Sequence, residues 1–165
     1  MHDFFFWLES TPLSIWMREE IAVYAFPGIL SLHTIGMGIV AGLSAAINLR
    51  IFGVGSQIPL LELKRFFPVF WAGFWLNAAS GVLLLIGYPT KALTNPVFYL
   101  KLGFIAIALV VFGRIRKSVF GNPDLDMNPV PRNGKLLAVA SMACWAAAIF
   151  AGRFLAYTYS KLTTI

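Results

Sequence analysis

The sequence is short of charge, of sulfur and of histidine, and each shortage excludes something. Charged residues make up 12% of the chain, whereas 59% is hydrophobic and the mean hydropathy is +0.77. Soluble domains hold about 45 to 50% apolar and about 25% charged residues, so a soluble enzyme domain is excluded and a lipid solvent is required. The lone Cys144 rules out an intrachain disulfide and sits in an apolar run as a packing residue. The two histidines are His2, at the extreme terminus, and His33. The first twenty residues, MHDFFFWLESTPLSIWMREE, lack the basic n-region and small-residue cleavage site of a signal peptide, so they are expected to stay in the mature chain.

What the sequence does have is four long stretches with little or no charge: 21–49, 66–90, 92–113 (interrupted by Lys101) and 136–160 (interrupted by Arg153). At about 1.5 Å per residue each can cross about 30 Å of hydrocarbon as a helix. A barrel would need many alternating strands of about ten residues, and these runs are continuously apolar. The expected fold is therefore an all-α integral membrane protein, a single domain over 1–165 built as a four-helix transmembrane bundle.

Residues 1–20 are expected to form an amphipathic helix lying in the interface, because Phe4, Phe5, Phe6, Trp7 and Trp16 cluster there with interspersed acids. Thr11 before Pro12, and Asn95 before Pro96, read as helix starts with a capping side chain and a proline in the first turn. The connection over 118–134 is rich in Asn, Pro and Asp and reads as a loop. Small residues recur at helical spacing: Gly38, Ala41, Gly42 and Ala45 in span 1, Gly73, Asn77 and Gly81 in span 2, and Ala138, Ser141, Ala148 and Gly152 in span 4. Such faces admit close helix approach within the chain or between copies, and Gly38 and Gly42 are expected to lie against another helix, in a homo-oligomer or a larger membrane complex if not within the chain.

The net charge of +6 does not mark a nucleic-acid binder, since the basic residues flank the apolar runs and form no stripe interleaved with stacking aromatics. Arg50, Lys64, Arg65, Arg114, Arg116, Lys117, Arg132 and Lys135 fall in the first and third connections, against Arg18, Lys91 and Lys161 on the other side. The positive-inside rule then places those connections in the cytoplasm. A multi-pass protein of the bacterial inner membrane with periplasmic termini is expected.

Polar groups at membrane depth are costly and mark functional positions. By depth, His33 lies near the middle of span 1, Asn77 near the centre of span 2, Lys101 in the outer half of span 3 and Arg153 close to the outer boundary of span 4. Arg153 and Lys101 can also snorkel to the interface, and Asn77 can serve as an interhelical hydrogen bond. His33 lies too deep to snorkel, and a neutral imidazole in a bundle is a ligand for haem iron or a transition metal. Gly36 on the same face is expected to leave room beside the ring, and Met37 one turn away could share a copper ion with His33. Two such residues on one helix cannot take opposite axial positions on one haem. No second histidine lies within the spans, so a bis-histidyl or two-haem conduit is excluded.

Three stretches carry a resemblance: Leu32-His33-Thr34-Ile35-Gly36 with Ala41-Gly42-Leu43, Leu49-Arg50-Ile51-Phe52, and Asn95-Pro96-Val97-Phe98-Tyr99-Leu100-Lys101-Leu102. They resemble the helices of the HemJ-type haem-containing protoporphyrinogen oxidases that carry a histidine, an arginine and a lysine. Copper-resistance D-type membrane proteins have a comparable bundle, and the whole chain is similar to bacterial four-helix membrane proteins whose function is not known. The resemblance implies His33 as axial ligand of a haem b and Lys101 as partner of a propionate or substrate. The oxidases' further histidine after the arginine is absent, Gly53 and Val54 standing there, and small residues replace an aromatic site in the first helix.

The expected function is a haem-b-binding or redox-associated membrane protein, a haem-dependent oxidoreductase handling a porphyrin or passing electrons. His33, Lys101, Asn77, Arg153 and Gly36 are the candidate cofactor-binding residues. The alternatives are a non-enzymatic, oligomer-forming accessory subunit and a copper-binding or transport protein using His33 and Met37, with Met142 the other deep methionine. On topology, cysteines introduced at Ser118 and Thr163 are expected to label from opposite faces of the membrane. Labelling of both from one side overturns the four-span count.

Overall fold

A computed structural model of the protein describes residues 2–19, 25–122, 125–127 and 129–162. Ile21 of the first apolar stretch, and Pro123, Asp124 and Asn128 of the third connection, lie outside the described residues. Among those described, all regular structure is helical: α1 (His2–Glu9), α2 (Pro12–Glu19), α3 (Phe26–Phe52), a 3-10 helix (Leu60–Phe66), α4 (Phe67–Gly87), α5 (Pro89–Leu93), α6 (Pro96–Ser118) and α7 (Arg132–Leu162). Four helical stretches, Phe26–Phe52, Leu60–Gly87, Pro96–Ser118 and Arg132–Leu155, are long and apolar enough to cross a bilayer. This is a multi-pass membrane protein of four-helix architecture.

Local chemistry sets the boundaries and moves several from their expected places. The N-terminal segment is two helices rather than the one expected, because Ser10 Oγ and Thr11 Oγ1 donate back to the carbonyls of Trp7 and Leu8 and close α1. Thr11 Oγ1 then accepts the Ser14 N–H at 3.4 Å and opens α2. Tyr88 leaves helical geometry ahead of Pro89, which splits the second apolar stretch into α4 and α5. Asn95 accepts the Val97 N–H at 3.0 Å and starts α6 at Pro96 rather than at 92. The same helix runs on through Arg114, Arg116 and Lys117, cations that the negative end of the helix dipole favours.

Helix α3 ends at Gly53, whose φ of 101° turns its own N–H to the Arg50 carbonyl and that of Val54 to Leu49. Arg50 then folds over the turn it precedes, donating from Nε to the Ile58 carbonyl and from Nη2 to Ser56. A longer tie joins the first connection to the third: Asp126 accepts the N–H groups of Leu60 at 2.6 Å and Leu61 at 3.2 Å, free donors at the start of the 3-10 helix.

Within each hairpin the spans pack on one another, α3 on α4 and α6 on α7, and α3 also packs on α7. The buried apolar core occupies the half of the bundle nearest the first and third connections. It includes Ile47 and Ile51 of α3, Phe67 and Phe70 of α4, Phe112 and Ile115 of α6, and Leu60, Val119, Phe120 and Leu125 of the connections. Phe70 and Phe112 stack at 4.0 Å and join α4 to α6. Across the α3–α7 contact, the buried Ser44 and Ser141 hydroxyls meet at 3.1 Å and Asn48 Nδ2 donates to Ser44 at 3.4 Å.

The expected small-residue contact is present but involves different glycines in span 1. A Cβ at Gly36 would stand 2.7 Å from the Asn77 backbone nitrogen and 2.9 Å from the Gly73 carbonyl, and a Cβ at Gly73 would stand 2.5 Å from Ile39. A Cβ at Gly38 or Gly42 would meet nothing within 4 Å, and both residues are exposed. The α3 face that meets α4 runs through His33, Gly36 and Val40, which carries Gly38 and Gly42 round to the outside. Gly36→Ala is expected to destabilise the protein by about 1–3 kcal/mol through overpacking against backbone that cannot yield. Gly38→Ala and Gly42→Ala should melt like the parent. Equal melting temperatures for all three variants, measured in detergent, would contradict this packing.

Candidate functional site

The site is assembled where α3 crosses α4. The α4 residues Gly73, Asn77 and Gly81 form one face, and α3 lays Ile39, Gly36 and His33 along it in turn. His33 and Asn77 exchange hydrogen bonds: the imidazole Nδ1 lies 2.9 Å from the Asn77 carbonyl, and Asn77 Nδ2 donates to the His33 carbonyl at 2.7 Å. Ser80 Oγ lies 3.2 Å from the same Nδ1. A carbonyl acceptor assigns the proton to Nδ1, which leaves Nε2 as the lone-pair nitrogen. Gly81 makes the room for the ring, since a Cβ there would stand 3.1 Å from His33 Cε1. No hydrogen bond to Nε2 is present among the described residues.

Below this crossing the four spans enclose a small cavity of about 20 Å³, room for about one water molecule. Met37 and Val40 of α3, Phe74 and Asn77 of α4, Lys101 of α6 and Trp145 of α7 are among its lining residues. The Lys101 side chain lies along Gly152, whose missing Cβ would be 3.5 Å from Cε and 3.6 Å from Nζ. Its ammonium makes no hydrogen bond or ion pair among the described residues, and the ion pair found among them is Arg65–Glu62 at the surface. Trp145 is 7% exposed and its Nε1–H is buried without an acceptor among the described residues. Two residues whose donors are unpaired among the described residues, one of them cationic, therefore line one cavity at membrane depth.

Four of the expected residues gather here: His33, Asn77, Lys101 and Met37. Asn77 serves as the interhelical hydrogen bond. Two expectations are corrected. Gly36 leaves no space beside the imidazole, because the α4 backbone fills it. Arg153 does not converge on the bundle interior; it is exposed and its guanidinium lies 5.7 Å from the Tyr157 ring centroid, so it snorkels as a long cation near the interface does. Met142 also faces outward, leaving Met37 as the methionine at the cavity, and no group of three His, Cys, Asp or Glu side chains forms a metal site among the described residues.

Trp145, Ser80, Gly81 and Gly152 are the participants that sequence reasoning did not assign to the site. Gly81 and Gly152 were visible as small residues, but what each makes room for, an imidazole and a lysine, depends on helix rotation. For haem b the donor chemistry fits: an imidazole held by Nδ1 with Nε2 free, and an unpaired cation for a carboxylate. The cavity as packed does not hold a macrocycle. Compared with protein-family models, curated proteins and solved structures, the chain matches none.

An unpaired cation at this depth is destabilising in the ligand-free protein. Lys101→Met keeps the length of the side chain and removes the charge. It is expected to raise the melting temperature of ligand-free protein by a few degrees, as about 1 kcal/mol corresponds to about 2–4 °C in a chain of this size. A lowered melting temperature would mean that the ammonium has a stabilising partner.

Proposed function

We propose that this protein binds a haem b or closely related porphyrin in the half of the bundle that holds His33 and Lys101, as a redox-associated protein of the bacterial inner membrane with periplasmic termini. The observation that carries the reading is the His33 imidazole, whose Nδ1 is committed to the Asn77 carbonyl at 2.9 Å while Nε2 is left without a partner among the described residues. That is the arrangement of a metal-ligating histidine, in which the second nitrogen fixes the tautomer and the ring plane. A haem bound there would supply one-electron chemistry. Lys101 would neutralise a carboxylate of the porphyrin, and the buried Trp145 N–H would donate to an acceptor. Asn77 and Ser80 would hold the imidazole in place. The inner-membrane and topological parts of the reading rest on the distribution of basic residues.

A second reading is favoured by a separate observation. The exposed, unfilled Gly38 and Gly42 leave a bare strip on α3 that a helix of another subunit would cover, as in an accessory or oligomer-forming membrane protein. In that case His33 is a hydrogen-bonded residue of the α3–α4 contact and nothing more. The copper alternative is reduced to His33 and Met37, with no further methionine on the cavity.

The readings separate by absorption spectroscopy of protein made with ample haem. On the haem reading the purified protein shows a Soret band that shifts on reduction, His33→Ala loses it, and Lys101→Met keeps the band with an altered reduction potential. A colourless, iron-free parent, or an unchanged spectrum in His33→Ala, removes the haem and leaves the accessory reading.

A further inference from the structure

The end of the bundle beside the first and third connections holds a second concavity that the cofactor reading does not use. It is a cleft of about 470 Å³ lined by Lys64 of the 3-10 helix, Phe67, Pro68 and Trp71 of α4, Arg116 of α6 and Phe120 just beyond it. Its floor is aromatic and fixed. Phe67 and Phe120 are buried and meet edge to face at 5.1 Å, and Phe67 meets Phe112 in the same way at 5.5 Å. Its rim is cationic: Lys64 and Arg116 are exposed, and the Arg116 guanidinium stands 5.8 Å from the Phe67 centroid. Glu62, the nearby acid, is paired with Arg65 at 3.5 Å. Lys64 and Arg116 have no carboxylate partner among the described residues.

We infer that this cleft is a binding site for an anionic phospholipid of the bilayer, with the phosphate held between Lys64 and Arg116 and an acyl chain against Pro68 and Trp71. Charge complementarity supplies the occupant. The cleft lies on the side of the bundle that carries Arg50, Lys64, Arg65, Arg114, Arg116, Lys117, Arg132 and Lys135, and a basic pocket between spans on that side is matched by a lipid head group of net negative charge. The depth of the features agrees with a lipid. Cations stand at the end of the spans, and Trp71, 37% exposed, lies one helical turn beyond Phe67 toward the bilayer interior, where a chain would pass. A soluble anion would use the two cations and leave the aromatic wall unused. A second protein chain would need a larger apolar patch than one cleft between two helices.

The test uses the full-length protein reconstituted in phosphatidylcholine vesicles, with phosphatidylglycerol or phosphatidylcholine brominated in the acyl chain as quencher. Trp71 is isolated from the other tryptophans by subtracting the signal of Trp71→Phe. Brominated phosphatidylglycerol is expected to half-quench Trp71 at roughly one thirtieth the mole fraction that brominated phosphatidylcholine needs, as two basic side chains near the surface imply. Lys64→Gln with Arg116→Gln should abolish the difference. The pair Lys64→Arg with Arg116→Lys should keep it, which guards against a Gln variant that fails to fold. Equal quenching by the two lipids in the parent, or a preference that survives the Gln pair, overturns the site. Inorganic phosphate that relieves the phosphatidylglycerol quenching overturns the lipid in favour of a simple anion site.

Discussion

The structure depends on the contact in which α3 and α4 touch backbone to backbone. In lipid there is no hydrophobic force between helices, so close packing and hydrogen bonds must hold them. Here both act within one turn. Gly36 and Gly73 remove the side chains that would keep the helices apart, and His33 and Asn77 each bond to the other's carbonyl across the gap. The exchange pairs one nitrogen of each side chain at a depth where unpaired polar groups are expensive. It also fixes the imidazole, so the same contact that builds the hairpin orients the candidate ligand.

Around that contact the bundle divides into two unlike halves. Toward the first and third connections it is filled with stacked aromatic and branched side chains, from Phe70 and Phe112 down to Leu60 and Leu125. Toward the other end the buried positions are more often small or polar, Gly36, Ser80, Ala148 and Ala151 among them, beside the larger Ile29 and Met17. Dense packing gives the first half a single arrangement. The second half carries unpaired donors at Lys101 and Trp145 instead, which is poor design for stability alone and is characteristic of positions kept for a ligand.

The sequence made the four apolar runs legible, because the absence of charge over about twenty residues is a constraint that lipid imposes whatever the tertiary packing. The Asn95 cap was legible for a similar reason: it is a local device, complete within three residues. The small face of α4 could be read from the spacing of Gly73, Asn77 and Gly81. The matching face of α3 could not, because Gly36, Gly38 and Gly42 are equivalent in composition and only the rotation of the helix decides which of them meets a neighbour. Ser44 and Asn48 were passed over because a hydroxyl or amide within an apolar run reveals no partner until Ser141 is brought beside it, ninety-seven residues along the chain. Arg50 had no role in the sequence; its role is to close the turn that follows it, through bonds that depend on the path of that turn.

The Asp126 carboxylate has a mechanical meaning. By gripping the first amides of the 3-10 helix at 2.6 and 3.2 Å, it fastens the connection between α6 and α7 to the connection between α3 and α4. The two hairpins are thus pinned at their bases, next to the dense aromatic half. The end that carries His33 and Lys101 is braced differently, by α2 seated against the end of α4, with Met17 against Gly87 and Ser14 Oγ donating to the Gly87 carbonyl, so the N-terminal helices bear on the same end of the bundle as the candidate site.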